Sequence, residues 1–210
     1  MERAPWRIDV TPRPTKQAAV WTPDNVREFS DDWVTLQTGY WERWLEPWRG
    51  VDGVQALEIG SHEGRSAAWF CTRILTGQGS RLTCVDPWLG TEADYYQRFL
   101  RNTRGLAVEV LRATSADELP RLLTIGGRFS FAYIDGSHHA PDLLLDMCLT
   151  WELLTPGGVM IVDDYTWTDN AVPIPPGPAV DAWLSIYRHR IARHEISKTA
   201  QPQVAIWKPT

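Results

Sequence analysis

The sequence predicts an α/β fold, a doubly wound and mainly parallel β-sheet with helices on both faces. Three observations carry this. Five short strand-like stretches alternate with segments of helical spacing. Those stretches are apolar almost throughout, as strands buried on both faces are. After the fifth the alternation stops, and two further strand-like segments follow around a turn, the pattern of an antiparallel hairpin on the sheet edge.

Residues 1 to about 28 are Pro-rich and aperiodic, and read as an arm or extended lead-in. Ser30-Asp31-Asp32 can cap a helix whose apolar positions are Trp33, Leu36, Tyr40, Trp41, Trp44 and Leu45, with Pro47 and Gly50 ending it. VQALEIG (54–60) reads as the first strand, followed by a helix from Arg65 to Leu75 that stops at Gly77 and Gly79. RLTCVD (81–86) is the second strand, 92–103 a helix, AVEVLRA (107–113) the third strand, and Ala116 to Leu123 a helix. FSFAYID (129–135) is the fourth strand and leads to a helix from Pro141 to Leu154. Thr155-Pro-Gly-Gly reads as a turn into VMIVDD (159–164), the fifth strand. WTDNAVPIPPGP is a long Pro-rich loop, of a length that often carries function. A helix from Ala179 to Arg190 and a hairpin within 195–208 complete the chain. The chain therefore divides into an arm with a Trp-rich helix, 1–50, acting as a lid or an oligomer contact, and one main domain, 51–210.

With 210 residues, 43% of them hydrophobic, the chain suits a single core. A net charge of -5 argues against nucleic acid as a partner. Cys71, Cys84 and Cys148 are scattered and form no CxxC pair, so no structural zinc is expected, and Cys84 and Cys148, in apolar runs, read as reduced, buried thiols of a cytoplasmic protein. The N-terminus has no apolar signal region, and no apolar run approaches the ~18 residues of a membrane helix, so no membrane partner is expected. Twelve tryptophans are unusual, and the cluster at Trp33, Trp41, Trp44 and Trp48 reads first as core packing.

In an open α/β sheet, ligands bind beyond the carboxyl ends of the strands, near the point where strand order reverses. The first strand ends in Glu58-Ile-Gly60-Ser61-His62-Glu63-Gly64-Arg65-Ser66. Gly60 and Gly64 allow a tight turn and close backbone approach to a ligand, but the spacing is neither a dinucleotide fingerprint nor a P-loop. Asp86 ends the second strand, where a carboxylate bonds ribose hydroxyls or simply forms a turn. The fourth strand runs into Asp135-Gly-Ser-His138-His139, and the fifth into Asp163-Asp164-Tyr165. Consecutive strand residues face opposite ways, so Asp163 and Asp164 reach one point only if the strand ends there and the chain turns. Otherwise one of them caps the next segment or pairs with an arginine.

The run E-I-G-S-x-x-G-x-S followed by Asp86 resembles the class I SAM-dependent methyltransferases, a family with a Rossmann-like seven-stranded sheet closed by an antiparallel hairpin. ATSADELP (113–120) is similar to the adenine-contacting segment of catechol-type O-methyltransferases. IDGSH, LTPGG and DDY together resemble the metal-dependent branch of macrocin and mycinamicin sugar O-methyltransferases, over roughly Val54 to Lys208. The resemblance implies S-adenosylmethionine held by Glu58, Gly60, Ser61, Gly64, Ser66, Asp86, Trp88, Ser115, Ala116 and Asp135. It implies Mg²⁺ or another divalent cation on Asp135, Asp163 and Asp164, and His138 as general base. Trp88 fits a place beside the adenine and a packing role equally well. The expected partner is a small-molecule hydroxyl acceptor, a sugar of a glycosylated secondary metabolite or a phenol, and the Trp-rich helix is a candidate homo-oligomer contact.

The chemistry is consistent with these residue types. A neutral hydroxyl is a weak nucleophile; a bound divalent cation and a base together make it a stronger one. Mg²⁺ prefers hard oxygen ligands, and an imidazole accepts protons near neutrality. Two other readings stand beside this one: a metal-independent methyltransferase, and a SAM-binding regulator without turnover. Tyr165, Trp167 and Asp169 are candidates to line the acceptor pocket. His139 reads as structural or substrate-facing, and Asp142 and Asp146 as the polar face of their helix.

Overall fold

The computed structural model describes residues 27–89 and 94–210; the reading of 1–26 as an arm lies outside them. Among them, seven strands form one sheet: β1 (Gln55–Ile59), β2 (Arg81–Val85), β3 (Val108–Leu111), β4 (Phe129–Ile134), β5 (Leu154–Val162), β6 (Arg193–Ile196) and β7 (Val204–Trp207). Their spatial order is β3-β2-β1-β4-β5-β7-β6. The first five are parallel, and β7 inserts antiparallel between β5 and β6. This is the doubly wound, Rossmann-like sheet with a C-terminal antiparallel hairpin. The chain winds outward from β1 to β3, then crosses to β4, so strand order reverses between β1 and β4.

Among the described residues, six α-helices cover the sheet: α1 (Thr38–Trp44), α2 (Arg65–Arg73), α3 (Tyr95–Asn102), α4 (Ser115–Thr124), α5 (Ala140–Leu153) and α6 (Pro176–Tyr187). Strand residues alternate between two cores. Ala56, Leu82, Phe131 and Val159 face Trp41, Trp44, Trp69, Phe70 and Phe99 from α1, α2 and α3. Leu57, Ala132 and Met160 face Leu119, Met147, Trp151, Val180 and Trp183 from α4, α5 and α6. The Trp-rich segment is thus part of the main core. Trp41 is fully buried, its ring 5.2 Å from Trp69, 4.7 Å from Phe70 and 5.2 Å from Tyr133.

Among the boundaries that differ from the sequence reading, three have a local reason. α1 begins at Thr38, not just after Ser30. The Asp32 carboxylate accepts from the Thr35 backbone N–H at 3.0 Å and from the Thr35 hydroxyl at 2.7 Å, and pairs with Arg65 at 3.0 Å, which holds 32–35 as a turn on the start of α2. Leu36, expected on the apolar face, is 42% exposed as a result. Thr155-Pro-Gly-Gly is the irregular first part of β5, where the register with β4 shifts between Phe129 and Phe131. α6 starts at Pro176, because proline at a first helical turn has no intrahelical N–H to lose.

Trp41→Ala removes an indole from the centre of this aromatic core. It is expected to cost about 3–5 kcal/mol of unfolding free energy, whereas Leu36→Ala stays within about 0.5 kcal/mol. Urea denaturation of the two variants beside the parent chain measures the contrast.

Candidate active site

The candidate site lies at the carboxyl ends of β1, β2, β4 and β5, around the point of strand reversal. β1 ends at Ile59, and Gly60 follows with φ +81°; a Cβ there would stand 2.0 Å from the Asp135 carbonyl oxygen. Only glycine permits that contact, which brings the first turn against the end of β4. The turn continues through Ser61, His62 and Glu63 to Gly64, where α2 begins.

Asp86 organises the outer side of this turn. Its carboxylate accepts from the backbone N–H groups of Ser61 (2.8 Å), His62 (3.0 Å) and Trp88 (2.7 Å). The group remains partly exposed; Oδ2 accepts two of these N–H groups, while Oδ1 accepts one and keeps a lone pair for a ligand hydroxyl. Glu58 organises the inner side. It is fully buried, accepts from the hydroxyls of Ser61 at 2.5 Å and Ser66 at 2.6 Å, and contacts the Cys84 thiol at 3.3 Å. Burial pushes its pKa up to about 7. The side chains of Glu58 and Ser66 therefore point inward and shape the turn from beneath it.

The acidic group forms at the ends of β4 and β5. One ligand atom each from Asp135, His138 and Asp164 lies within 4.8 Å of the others. His138 Nε2 is 2.7 Å from Asp164 Oδ2, with His138 15% exposed. Asp163 joins through Tyr133, whose hydroxyl stands 2.5 Å from Asp163 Oδ2 and 3.2 Å from Asp135 Oδ2. β5 ends at Val162, and Asp164 takes φ +59°. A left-handed residue is rare outside glycine, though aspartate tolerates it better than most. This turn is the feature that lets two consecutive carboxylates reach the same region.

Other predicted residues have clear places. Ser115 opens α4 and hydrogen-bonds the Asp146 carboxylate, while Ala116 is exposed beside it. Trp88 packs on Tyr96 and Phe99 at 4.9 and 4.8 Å and donates its indole N–H to the His62 carbonyl at 2.8 Å. Asp146 corrects an expectation: it is 2% exposed, not on a polar helix face, and burial pushes its pKa up to about 7. His139 is the N-cap residue of α5, its carbonyl accepting from Asp142 and Leu143. Trp167, in the loop after β5, lays its ring 4.4 Å from that of His138. Tyr165 turns away to donate to Asp181 at 2.8 Å, and Asp169 caps Ala171 at 2.7 Å.

Comparison with known proteins decides the family. The family model described as "Methyltransferase domain" matches residues 57–165, more than half of the chain, from β1 through Tyr165. The chain belongs to the methyltransferase-domain family. The matched span contains the glycine turn, Asp86 and every member of the acidic cluster. Among solved structures, the O-methyltransferase TomG from Streptomyces achromogenes in complex with SAM is similar at TM-score 0.64 and 19% identity, covering 82% of this chain and 80% of that one. MycE methyltransferase from the mycinamycin biosynthetic pathway, in complex with Mg, SAH and mycinamycin VI, is similar at TM-score 0.63 and 15% identity, covering 85% of this chain and 50% of that one. An uncharacterised protein of Acanthamoeba polyphaga mimivirus is 26% identical over 130 residues, which span 58% of each chain. Among the described residues, no helix is long and apolar enough to cross a membrane.

Two residues of this methyltransferase domain went unmarked in the sequence. Tyr133 precedes Asp135 by two positions in a strand, a spacing that puts both on one face. Glu63, in the glycine turn, is 3% exposed and binds the Ser30 backbone N–H at 2.7 Å and Arg98 at 2.7 Å, which ties the N-terminal segment and α3 to the turn. Nothing in a run of GSHEG marks the glutamate as buried.

The raised pKa of Glu58 has a stability consequence. The folded state holds a proton that the unfolded chain releases near pH 4.5, so stability falls as pH rises from about 4.5 through about 7. Asp146, raised to about 7 from 3.8, acts in the same direction. Glu58→Gln is therefore expected to lessen the loss of melting temperature between pH 5 and pH 8, while leaving the Asp146 share. Thermal melts across that range measure it.

Proposed function

We propose that this chain transfers a methyl group from S-adenosylmethionine to a hydroxyl of a small molecule, a sugar of a glycosylated secondary metabolite or a phenol, with a divalent cation such as Mg²⁺. The observation that carries the reading is the convergence of Asp135, His138 and Asp164 within 4.8 Å beside the glycine turn, with Asp163 joined to them through Tyr133. TomG, named as an O-methyltransferase with SAM, and MycE, with Mg and SAH, support it by likeness of fold.

The donor set fits a hard cation: three carboxylates from two adjacent strand ends, Asp135, Asp163 and Asp164. When bound, the cation lowers the pKa of the acceptor hydroxyl, and the sulfonium of S-adenosylmethionine supplies an already activated methyl. The rest falls to the protein. Gly60 and Gly64 shape the turn that receives the donor, and the remaining lone pair on Asp86 Oδ1 suits a ribose hydroxyl. His138 takes the proton of the acceptor hydroxyl, an imidazole being able to accept one near neutrality, and Asp164, 2.7 Å from its Nε2, orients the ring. Trp167, its ring tilted 33° against that of His138 at 4.4 Å, limits its rotation. In the transfer the acceptor oxygen would take the methyl carbon, S-adenosylhomocysteine would leave with the carbon–sulfur bonding pair, and His138 would keep the proton.

A second reading has one observation in its favour. The His138–Asp164 pair at 2.7 Å is a complete base-and-orienter pair without any ion. In that case methyl transfer would be metal-independent.

Radiolabelled S-adenosylmethionine and a panel of glycosides and catechols test both. Transfer is expected to stop in EDTA and to return with Mg²⁺, and His138→Ala should lower kcat by about 10²- to 10⁴-fold. Transfer that survives both EDTA and Asp135→Ala would favour the metal-independent reading.

A further inference from the structure

Beneath the carboxylates runs a chain of buried polar groups whose hydrogen-bond directions are fixed. Trp41 Nε1 lies 2.7 Å from Gln203 Oε1, Gln203 Nε2 lies 3.5 Å from the Tyr133 hydroxyl, and that hydroxyl lies 2.5 Å from Asp163 and 3.2 Å from Asp135. Trp41, Gln203 and Tyr133 are 0%, 0% and 2% exposed. An indole nitrogen only donates. The Gln203 carbonyl must therefore face Trp41, and its amide must face Tyr133. Tyr133 then receives from Gln203, and its single proton is directed at the carboxylates.

The sheet makes this arrangement. Tyr133 pairs in register with Ile161, and Ile161 with Ala205. Two residues further on in β4 and β5, and two back in antiparallel β7, the same row holds Asp135, Asp163 and Gln203. All three share a face with Tyr133 by strand alternation, and that face is the one covered by α1.

We infer that Tyr133 is a positioning residue for the Asp135–Asp163 pair, and that Trp41 and Gln203 set the direction of its proton. This rests on the reading of those carboxylates as the cation-binding group. A buried tyrosine ring needs no partners beyond Trp41 and Phe70, which it already packs against at 5.2 and 5.5 Å. The hydroxyl is the added element, and it is spent on the two carboxylates. Hydrogen bonds to ligating carboxylates commonly change metal affinity about 10- to 100-fold.

Tyr133→Phe keeps the ring and deletes the hydroxyl. Mn²⁺ titrated into the parent chain and the variant, followed by the electron-spin-resonance signal of the free ion, gives the two dissociation constants. The variant is expected to melt within a few degrees of the parent, to bind Mn²⁺ about 10- to 100-fold more weakly, and to need correspondingly more Mg²⁺ for turnover at unchanged KM for S-adenosylmethionine. Should Tyr133→Phe fail to fold, Trp41→Phe serves: without the indole N–H, the Gln203 amide can invert, draw the Tyr133 proton away and weaken Mn²⁺ binding in the same direction. Unchanged Mn²⁺ affinity in the folded variant overturns the positioning role and leaves the cation reading standing. A parent chain that binds no Mn²⁺ overturns both.

Discussion

The close contact between Gly60 and the backbone of Asp135 is the constraint on which the site depends. Parallel strands β1 and β4 lie side by side because strand order reverses there, and their ends would diverge if any side chain stood at position 60. With a Cβ placed 2.0 Å from the Asp135 oxygen, no rotamer change relieves the clash, since the obstacle is backbone. Glycine at this one position brings the turn that begins α2 against the residue that begins the acidic cluster. The Asp86 carboxylate then gathers the turn's amides from outside, and Glu58 holds its serines from inside.

The acidic cluster is a balance of like charges held by local devices. Several carboxylates in one region raise one another's free energy unless partners offset them. Tyr133 offers a proton to two of them, and His138 sits against the third. The left-handed backbone of Asp164 costs roughly 1 kcal/mol, and it aims consecutive carboxylates to one side. In the proposed reaction, that concentration of negative charge is what a divalent cation answers, and the polar chain from Trp41 to Tyr133 fixes the carboxylates before the ion arrives.

Much of this was legible in the sequence, because the signals were of kinds that a strand or turn cannot hide. Apolar stretches alternating with helical spacing located the five parallel strands, the segment after them read as the hairpin, and Asp86, Asp135 and Asp163-Asp164 stood at the ends of apolar runs. What escaped depended on contacts between distant residues. Asp32 holds α1 back because Arg65, 33 positions away, lies beside it. Asp146 looked like a solvent-facing helix residue, yet Ser115 at the start of α4 meets it inside. Tyr133 read as one more apolar strand residue, and only its neighbours across β5 and β7 give the hydroxyl a purpose.

In the proposed reaction, Asp135, Asp163 and Asp164 jointly hold a divalent cation beside the methyl donor. A crystal structure of the chain grown with S-adenosylmethionine and Mn²⁺, with anomalous scattering used to locate the ion, tests this most directly. The expected result is an anomalous peak within about 2.0–2.3 Å of oxygens from all three carboxylates, with the donor's ribose on Asp86. A peak elsewhere, or a donor-bound site whose carboxylates hold no ion, would contradict it.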